Sequence, residues 1–357
     1  MGATKEFLNL PYFGLIKKIF LSNFLAPSFP FKITFALTYK CNLRCKYCRI
    51  WERPIKDELS LAKIKSILSS ADNLKWLHFS GGEIFLREDI EEIMDFAMAK
   101  NRKLAILTFP TNGLNTGKIT KVAKFLAEKS SGRVKIIVTC SIDGPEDIHD
   151  RLRGAEGTYE KCIETFIQLK AIKGIKSYVG VTVSKDNYKD LNRLLAEFAK
   201  IPDFVFDDLH FNFLEKSFFY NNLAEGSDEE LIDKEVFFTV NSLRKSYRYK
   251  GIKGFLEKRY FHLMQAYLKR KKMPIKCNSF RGACFIDPYG DVYPCINYGI
   301  KLGNLGAASY NFDEFWRMNI ENKNKIRKLI ENYKCPSCWT PCEAYPSILS
   351  NLLGGNQ

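Results

Sequence analysis

From Pro30 onward, short apolar stretches rich in β-branched and aromatic residues alternate with longer stretches whose apolar positions recur at helical spacing. The short stretches predict strands at 33–38, 75–79, 103–109, 134–141, 177–183 and 207–213. Helical patterns fall between them, as in Leu61 to Ser70, Ile90 to Ala99, Ile119 to Glu128, Tyr159 to Ile172 and Leu191 to Lys200. Such alternation predicts an α/β fold with a parallel sheet, and the six units over residues 31–226 suffice for a partial, TIM-like (β/α)6 barrel. Reacting groups of such folds come from the carboxyl ends of the strands. Residues 227–274 then read as a charged helical bridge ending in Lys269-Arg270-Lys271-Lys272 before Pro274. Residues 275–357 carry six cysteines, repeated aromatic residues and Gly-Asp or Gly-Asn turns, and read as a small α+β module organised by metal as well as by a core.

Composition sharpens this picture in two places. The 357 residues, 46% of them apolar, supply an ample core, and the eleven cysteines cluster at short spacings. In a long chain without a convincing export signal, that clustering points to metal ligation in a reducing cytoplasm. Residues 7–25 are hydrophobic but are interrupted by Asn9, Lys17, Lys18, Ser22 and Asn23, so they neither span a membrane nor resemble a cleaved signal. The net charge of +15 draws acidic partners: nucleic acid, anionic lipid, or a small electron carrier of the ferredoxin or flavodoxin kind. A lysine-rich solvated surface gives the same charge, which therefore decides nothing by itself. No basic stripe interleaved with aromatic residues is present apart from 269–272, so no nucleic-acid partner is expected.

The strongest chemical signal follows the first strand. Cys41, Cys45 and Cys48 form a C-x3-C-x2-C run, and three thiolates on one short loop can hold three irons of a 4Fe-4S cluster, leaving the fourth open to a small molecule. A zinc knot would need a fourth Cys or His nearby, and none lies between this loop and His78. Behind the second strand stands Ser80-Gly81-Gly82-Glu83; two glycines permit close approach of the backbone to a ligand, and a carboxylate complements an ammonium. Alone, the same segment would pass for an ordinary strand-to-helix turn.

Together these residues resemble the radical S-adenosylmethionine (SAM) enzymes, and the resemblance runs from about residue 32 onward. It implies that the open iron chelates the amino and carboxylate groups of SAM, whose one-electron cleavage gives methionine and a 5′-deoxyadenosyl radical that abstracts hydrogen from an unactivated carbon. It further implies that Tyr47 contacts the adenine and that Gly81, Gly82 and Glu83 receive the SAM amino group. Ser141 and Asp143 at the end of the fourth strand, and Arg153 in His149-Asp150-Arg151-Leu152-Arg153-Gly154, look like segments that bind the ribose or the SAM carboxylate, an arginine fork being suited to the latter. Asn112 lies in a turn similar to one of the family. Cys277, Cys284 and Cys295, followed by Cys335, Cys338 and Cys342, resemble the auxiliary-cluster module called SPASM or its shorter Twitch relative. We expect one auxiliary 4Fe-4S cluster on Cys277, Cys284 and Cys295 with one cysteine of the last group, a second, incompletely ligated cluster or structural zinc being the alternatives. Cys140 and Cys162 read as small buried hydrophobes, and of the four scattered histidines His210, on a strand with Asp207 and Asp208, has a place from which to face the cavity but reads first as a satisfied structural histidine, so no acid or base is assigned.

The substrate is less legible. The segment from Pro11 to Leu25 opens on a helix-starting proline and carries Tyr12, Phe13, Leu15, Ile16, Ile19, Phe20 and Phe24 opposite Lys17 and Lys18. It favours a hydrophobic, lipid-like substrate and a cytoplasmic enzyme peripheral to the inner membrane surface; packing on the barrel is the other reading of the same helix. A ribosomally made peptide is the alternative substrate, favoured by the family branch. A non-catalytic iron-sulfur electron carrier is the rival class, but it has no use for Gly81-Gly82-Glu83 or for an open iron.

Overall fold

A computed structural model describes residues 29–222, 234–245 and 251–352, with Leu15 and residues 17–19 of a preceding helical segment. Six parallel strands follow the sequence pattern: β1 (Lys32–Ala36), β2 (Trp76–Ser80), β3 (Ile106–Thr111), β4 (Lys135–Ser141), β5 (Ile175–Val183) and β6 (Leu209–Phe213). Between them run α1 (Leu61–Ser70), α2 (Ile90–Lys100), α3 (Thr116–Ser130), α4 (Glu146–Arg153), α5 (Thr158–Ala171) and α6 (Leu191–Phe198). Of these, α4 is the one the apolar pattern does not predict; it is short and polar, with only His149 and Leu152 buried.

Side-chain alternation decides which face each strand gives to the helices. Leu77, Phe79, Leu107, Phe109, Ile136, Val138, Val179, Val181, Leu209 and Phe211 are buried in one core with Ile64 and Ile67 of α1, Ile93 of α2, Val122 and Leu126 of α3, and Phe166 and Leu169 of α5. The opposite positions, including His78, Thr139, Tyr178, Thr182, His210 and Asn212, stay half-buried and line the concave interior.

The C-terminal segment extends this sheet instead of building its own. Strand β7 (Ala283–Ile286) pairs in parallel with β1, register Ile33 to Cys284, and β8 (Asp291–Tyr293) and β9 (Gly303–Asn304) follow antiparallel. The sheet thus has nine strands, ordered β6-β5-β4-β3-β2-β1-β7-β8-β9, and does not close into a barrel. Helices α7 (Lys234–Lys245), α8 (Gly251–Arg270), α9 (Phe312–Met318), α10 (Ile320–Glu331) and α11 (Pro341–Leu352) complete the chain. Tyr345 of α11 and Glu257 of α8 both reach His210 on β6, so these two helices stand against the β6 edge.

Of the amphipathic segment at 11–25, Tyr12, Phe13, Ile16, Phe20 and Phe24 lie outside the described residues. Leu15 and Ile19 are buried against Phe31, Ile106 and Leu349, near the amino ends of β1 and β3. Those apolar side chains are therefore spent on the barrel, and Lys18 is anchored on the backbone oxygen of Asn73; the packed-helix reading holds for this part. Among the described residues no helix is long and apolar enough to cross a membrane.

Candidate active site and auxiliary cavity

The cysteine loop leaves β1 and is pinned from three sides. Glu58 accepts hydrogen bonds from the Thr38 hydroxyl (2.8 Å) and the Tyr39 amide (2.6 Å). Gly82 N donates to Thr38 O (2.8 Å) and Glu83 N to Lys40 O (2.9 Å), joining the end of β2 to the loop. Arg44 N and Lys46 N donate to Arg153 O and Leu152 O at the end of α4. The contact there is close enough that a Cβ on Gly154, which has φ +74°, would lie 2.7 Å from Arg44 O. Two glycines thus bring the second strand end and α4 against the loop as close as backbone can come.

Within this frame the predicted residues gather. Glu83 is 3% exposed and its carboxylate accepts from Asn112 N (2.7 Å), Phe85 N (3.2 Å) and the Thr111 hydroxyl (3.2 Å). Burial outweighs these donors and pushes its carboxyl up to about 7. The Asn112 side chain donates to Asn42 Oδ1 inside the cysteine loop, and the Ser184 hydroxyl donates to the Tyr47 hydroxyl, fixing that ring from β5's carboxyl end. Asp143 pairs with Arg153 (2.7 Å) while its other oxygen accepts from Thr182 N (2.8 Å). Its carboxylate is thereby committed to aiming the guanidinium, whose Nη1 lies 3.9 Å from Cys45 Sγ and whose Nε is buried without a partner. Ser141 stands half-buried at the end of β4. Sequence reading did not find Glu58, Asn42 or Ser184; the polar residue two places before Cys45's own neighbours, and the serine closing β5, carry no signal outside the fold.

Several features fit an iron-sulfur cluster. Cys41, Cys45 and Cys48 share one loop beside the Arg153 cation, and burial pushes the Cys41 and Cys48 thiols up to about 11 and about 12, so they hold their protons until a cation replaces them. A cluster gives each of the three loop thiolates its own iron.

A second group of cysteines surrounds a cavity of about 400 Å³ lined by Cys277, Cys295, Cys335 and Cys338, with Glu343 and Ser279. This differs from the ligand set expected above. Cys284 lies on β7 in register with Ile33, is buried in the main hydrophobic core and is not among the residues that line the cavity. Cys342 also lies off the cavity lining and packs on an aromatic group formed by Tyr39, Phe219, Phe285 and Tyr293, against which Cys41 and Cys48 pack too. Cys140 and Cys162 are both fully buried, as expected. Replacing Cys277 by alanine is accordingly expected to remove one cluster's worth of iron and its charge-transfer absorbance, whereas Cys284→Ala leaves both in place and costs about 1–2 kcal/mol of stability; iron analysis with denaturant titration distinguishes the two.

The chain belongs to the radical SAM superfamily: that family's model matches residues 35–198, and the model of an iron-sulfur cluster-binding domain, SPASM, matches residues 277–343. Among its relatives, the antilisterial bacteriocin subtilosin biosynthesis protein AlbA of Bacillus subtilis is 25% identical over 79% of this chain, which spans 58% of the length of that protein. An AdoMet-dependent heme synthase of Oleidesulfovibrio alaskensis is 26% identical over 80% of this chain and 74% of its own. The mycofactocin maturase MftC of Mycobacterium ulcerans is 27% identical over 89% and 81%. In fold the chain is similar to Streptococcus suis SuiB bound to precursor peptide SuiA, with TM-score 0.52 and 17% identity over 81% of this chain and 65% of that one. It is thus an enzyme of SPASM radical SAM type, dependent on a 4Fe-4S cluster, SAM and auxiliary iron-sulfur centre chemistry.

Proposed function

We propose that this enzyme is a maturase that modifies a carbon of a ribosomally made peptide. The observation that carries the reading is the polar inner face of the sheet. His78 and Thr108 are hydrogen-bonded at 2.7 Å, Trp76 Nε1 donates to the same hydroxyl, and Thr139, Thr182, His210 and Asn212 follow around the interior. His78, Thr108, Trp76 and His210 are bonded within the protein, but a hydrocarbon chain would offer the Thr139, Thr182 and Asn212 side chains no hydrogen-bonding group, at about 1–3 kcal/mol each, whereas a peptide backbone supplies donors and acceptors. The lipid preference drawn from residues 11–25 loses the support of Leu15 and Ile19, which are used in packing. The similarity to AlbA, a bacteriocin biosynthesis protein, and to MftC, a maturase, agrees with this reading.

Cys41, Cys45 and Cys48 would hold the SAM-binding cluster, and Cys277, Cys295, Cys335 and Cys338 an auxiliary one. When bound, the first cluster and SAM supply the carbon-centred radical that abstracts hydrogen. This chain's residues bind and orient: Glu83 takes the ammonium, Arg153 held by Asp143 takes the carboxylate, Tyr47 held by Ser184 faces the adenine, and Asn112 ties the second and third strand ends to the loop.

A pH dependence follows from Glu83. Its carboxyl titrates near 7 in the folded protein and near 4.5 unfolded, so the folded state keeps the proton in between and loses stability as pH rises through that window. An ammonium needs the ionised form, which grows about tenfold from pH 6 to 8, so SAM affinity is expected to rise by about that factor. Equilibrium dialysis on reconstituted enzyme reads it, and Glu83→Gln flattens the profile while weakening binding.

The substrate class is tested by isotope transfer. Fully deuterated peptide, lipid and small-molecule fractions of the host are each incubated with reduced enzyme and SAM, and 5′-deoxyadenosine is analysed by mass spectrometry. Deuterium arriving only from the peptide fraction supports the proposal; arrival from the lipid or small-molecule fraction instead overturns it.

A further inference from the structure

The basic run at the end of α8 has a place in the fold. Lys269, Arg270, Lys271 and Lys272 are all exposed, and they lead directly into Met273, Pro274 and Lys276 on the lining of the four-cysteine cavity. Lys272 Nζ stands 5.2 Å over the ring of Tyr333, another lining residue and itself 49% exposed. Lys276 and Lys334 are exposed as well, and Lys334 immediately precedes Cys335. Of the two acidic residues lining the cavity among the described residues, Glu343 is buried and the exposed one, Glu331, is engaged by Arg281 and Arg327. The rim is also firmly built: Tyr267 of α8 donates to Ser337 O (3.0 Å) and Tyr298 to Lys334 O (2.8 Å). Because Lys276, Tyr333 and Pro336 are both lining and exposed, the cavity opens to solvent in the middle of this cationic surface.

We infer that this face is the docking site of a small acidic protein carrying a one-electron redox centre, and that electrons enter the enzyme there. Three observations meet at one place: a compact cationic patch, a cavity lined by four thiols, and an opening between them. A patch of this sign steers an acidic partner and fixes its orientation. Electron tunnelling falls steeply with distance, so the useful location for such a patch is directly over a redox site. An anionic membrane or a nucleic acid would gain the same charge attraction but has no use for the thiol-lined opening, and a nucleic acid would call for a longer stripe with aromatic platforms. The carrier is oxidised by one electron and the auxiliary centre reduced by one, with no bond made or broken. Inward from the cavity, the segment from Cys338 leads to Cys342, which packs on the same aromatic group as Cys41 and Cys48. The segment from Cys338 to Cys342 therefore runs from the docking face to the aromatic group on which Cys41 and Cys48 pack. The inference rests on the iron-sulfur assignment and is independent of whether the substrate is a peptide.

The test uses reconstituted holoenzyme and an acidic flavodoxin as probe. Triple charge reversal K269E/R270E/K272E is compared with K121E/K124E/K129E on the exposed face of α3, a change of equal charge remote from the cavity. Iron content and circular dichroism establish that both variants are loaded and folded. The expected result is a loss of flavodoxin affinity of about tenfold or more, with a shallower salt dependence, in the α8 variant, and a change of less than about threefold in the α3 variant. Equal losses in both variants, or no loss in the α8 variant, overturn the inference. So does an α8 variant that loses binding to anionic vesicles or RNA while keeping its affinity for flavodoxin. SAM cleavage driven by dithionite, which needs no docking, is expected to be unchanged in both.

Discussion

Cys45→Ala is expected to abolish release of 5′-deoxyadenosine, by more than about a thousandfold, while leaving the fold intact. Cys45 is half-buried with Arg153 Nη1 3.9 Å from its sulfur, and backbone bonds flank it, from Arg44 N to Arg153 O and from Lys46 N to Leu152 O. Those bonds hold the loop whichever side chain stands at 45, so thermal stability without cluster should change by less than about 1 kcal/mol. Function is lost because three thiolates act as a unit: with two, the loop cannot hold the cluster that leaves one iron open. Iron should fall to the amount held by the auxiliary cavity. Anaerobic reconstitution followed by iron analysis and chromatography of the SAM products checks both halves. Retained cleavage would place the chemistry elsewhere.

The second large effect is steric. A Cβ on Gly82 would lie 2.2 Å from Lys40 O, 2.7 Å from Lys40 C and 2.9 Å from Tyr39 O, all backbone atoms that no rotamer change can move. Gly82→Ala must therefore push the end of β2 away from the cysteine loop, weakening the bonds from Gly82 N to Thr38 O and from Glu83 N to Lys40 O. Strain and weakened hydrogen bonds together should cost about 2–4 kcal/mol. Displacement of Glu83 and the loop should lower SAM affinity about a hundredfold. Gly117, on α3 with nothing within 4 Å of its Cβ position, is the internal control. Gly117→Ala should stabilise by about 0.5–1 kcal/mol and leave SAM binding alone. Denaturant titration and equilibrium dialysis on the two variants separate local geometry from any general effect of adding a methyl group.

The barrel was legible because each of its strands and long helices repeats one local rule. In β2 to β6 the outward side chains are apolar and pack on helices, so strand positions can be read within a few residues. The polar helix α4 was missed because its contribution is made by caps and backbone: it ends at Gly154 and presents carbonyls to the cysteine loop. The joining of β7 to β1 was not legible, since roughly 250 residues separate the two and no short-range pattern encodes a parallel pairing. Cys284 shows the limit most directly. Its spacing fits a ligand set, but all four residues of β7 are buried, so no alternation in the sequence reveals which way its thiol turns. Likewise, Asp143 reads as a ligand-binding residue in sequence, whereas the fold commits it to Arg153 and Thr182. The Tyr39 hydroxyl bond to Asp287 (3.1 Å), tying the cysteine loop to the C-terminal hairpin, crosses most of the chain and leaves no trace in local pattern.

Electron paramagnetic resonance of the anaerobically reduced enzyme, recorded with and without SAM, addresses the vacant iron position directly. Cys277→Ala is used so that signals from the auxiliary cavity do not overlap. The account predicts that SAM shifts the spectrum of the remaining cluster, and that Cys41→Ala removes both spectrum and shift. A reduced cluster whose spectrum is indifferent to SAM at saturating concentration would contradict it.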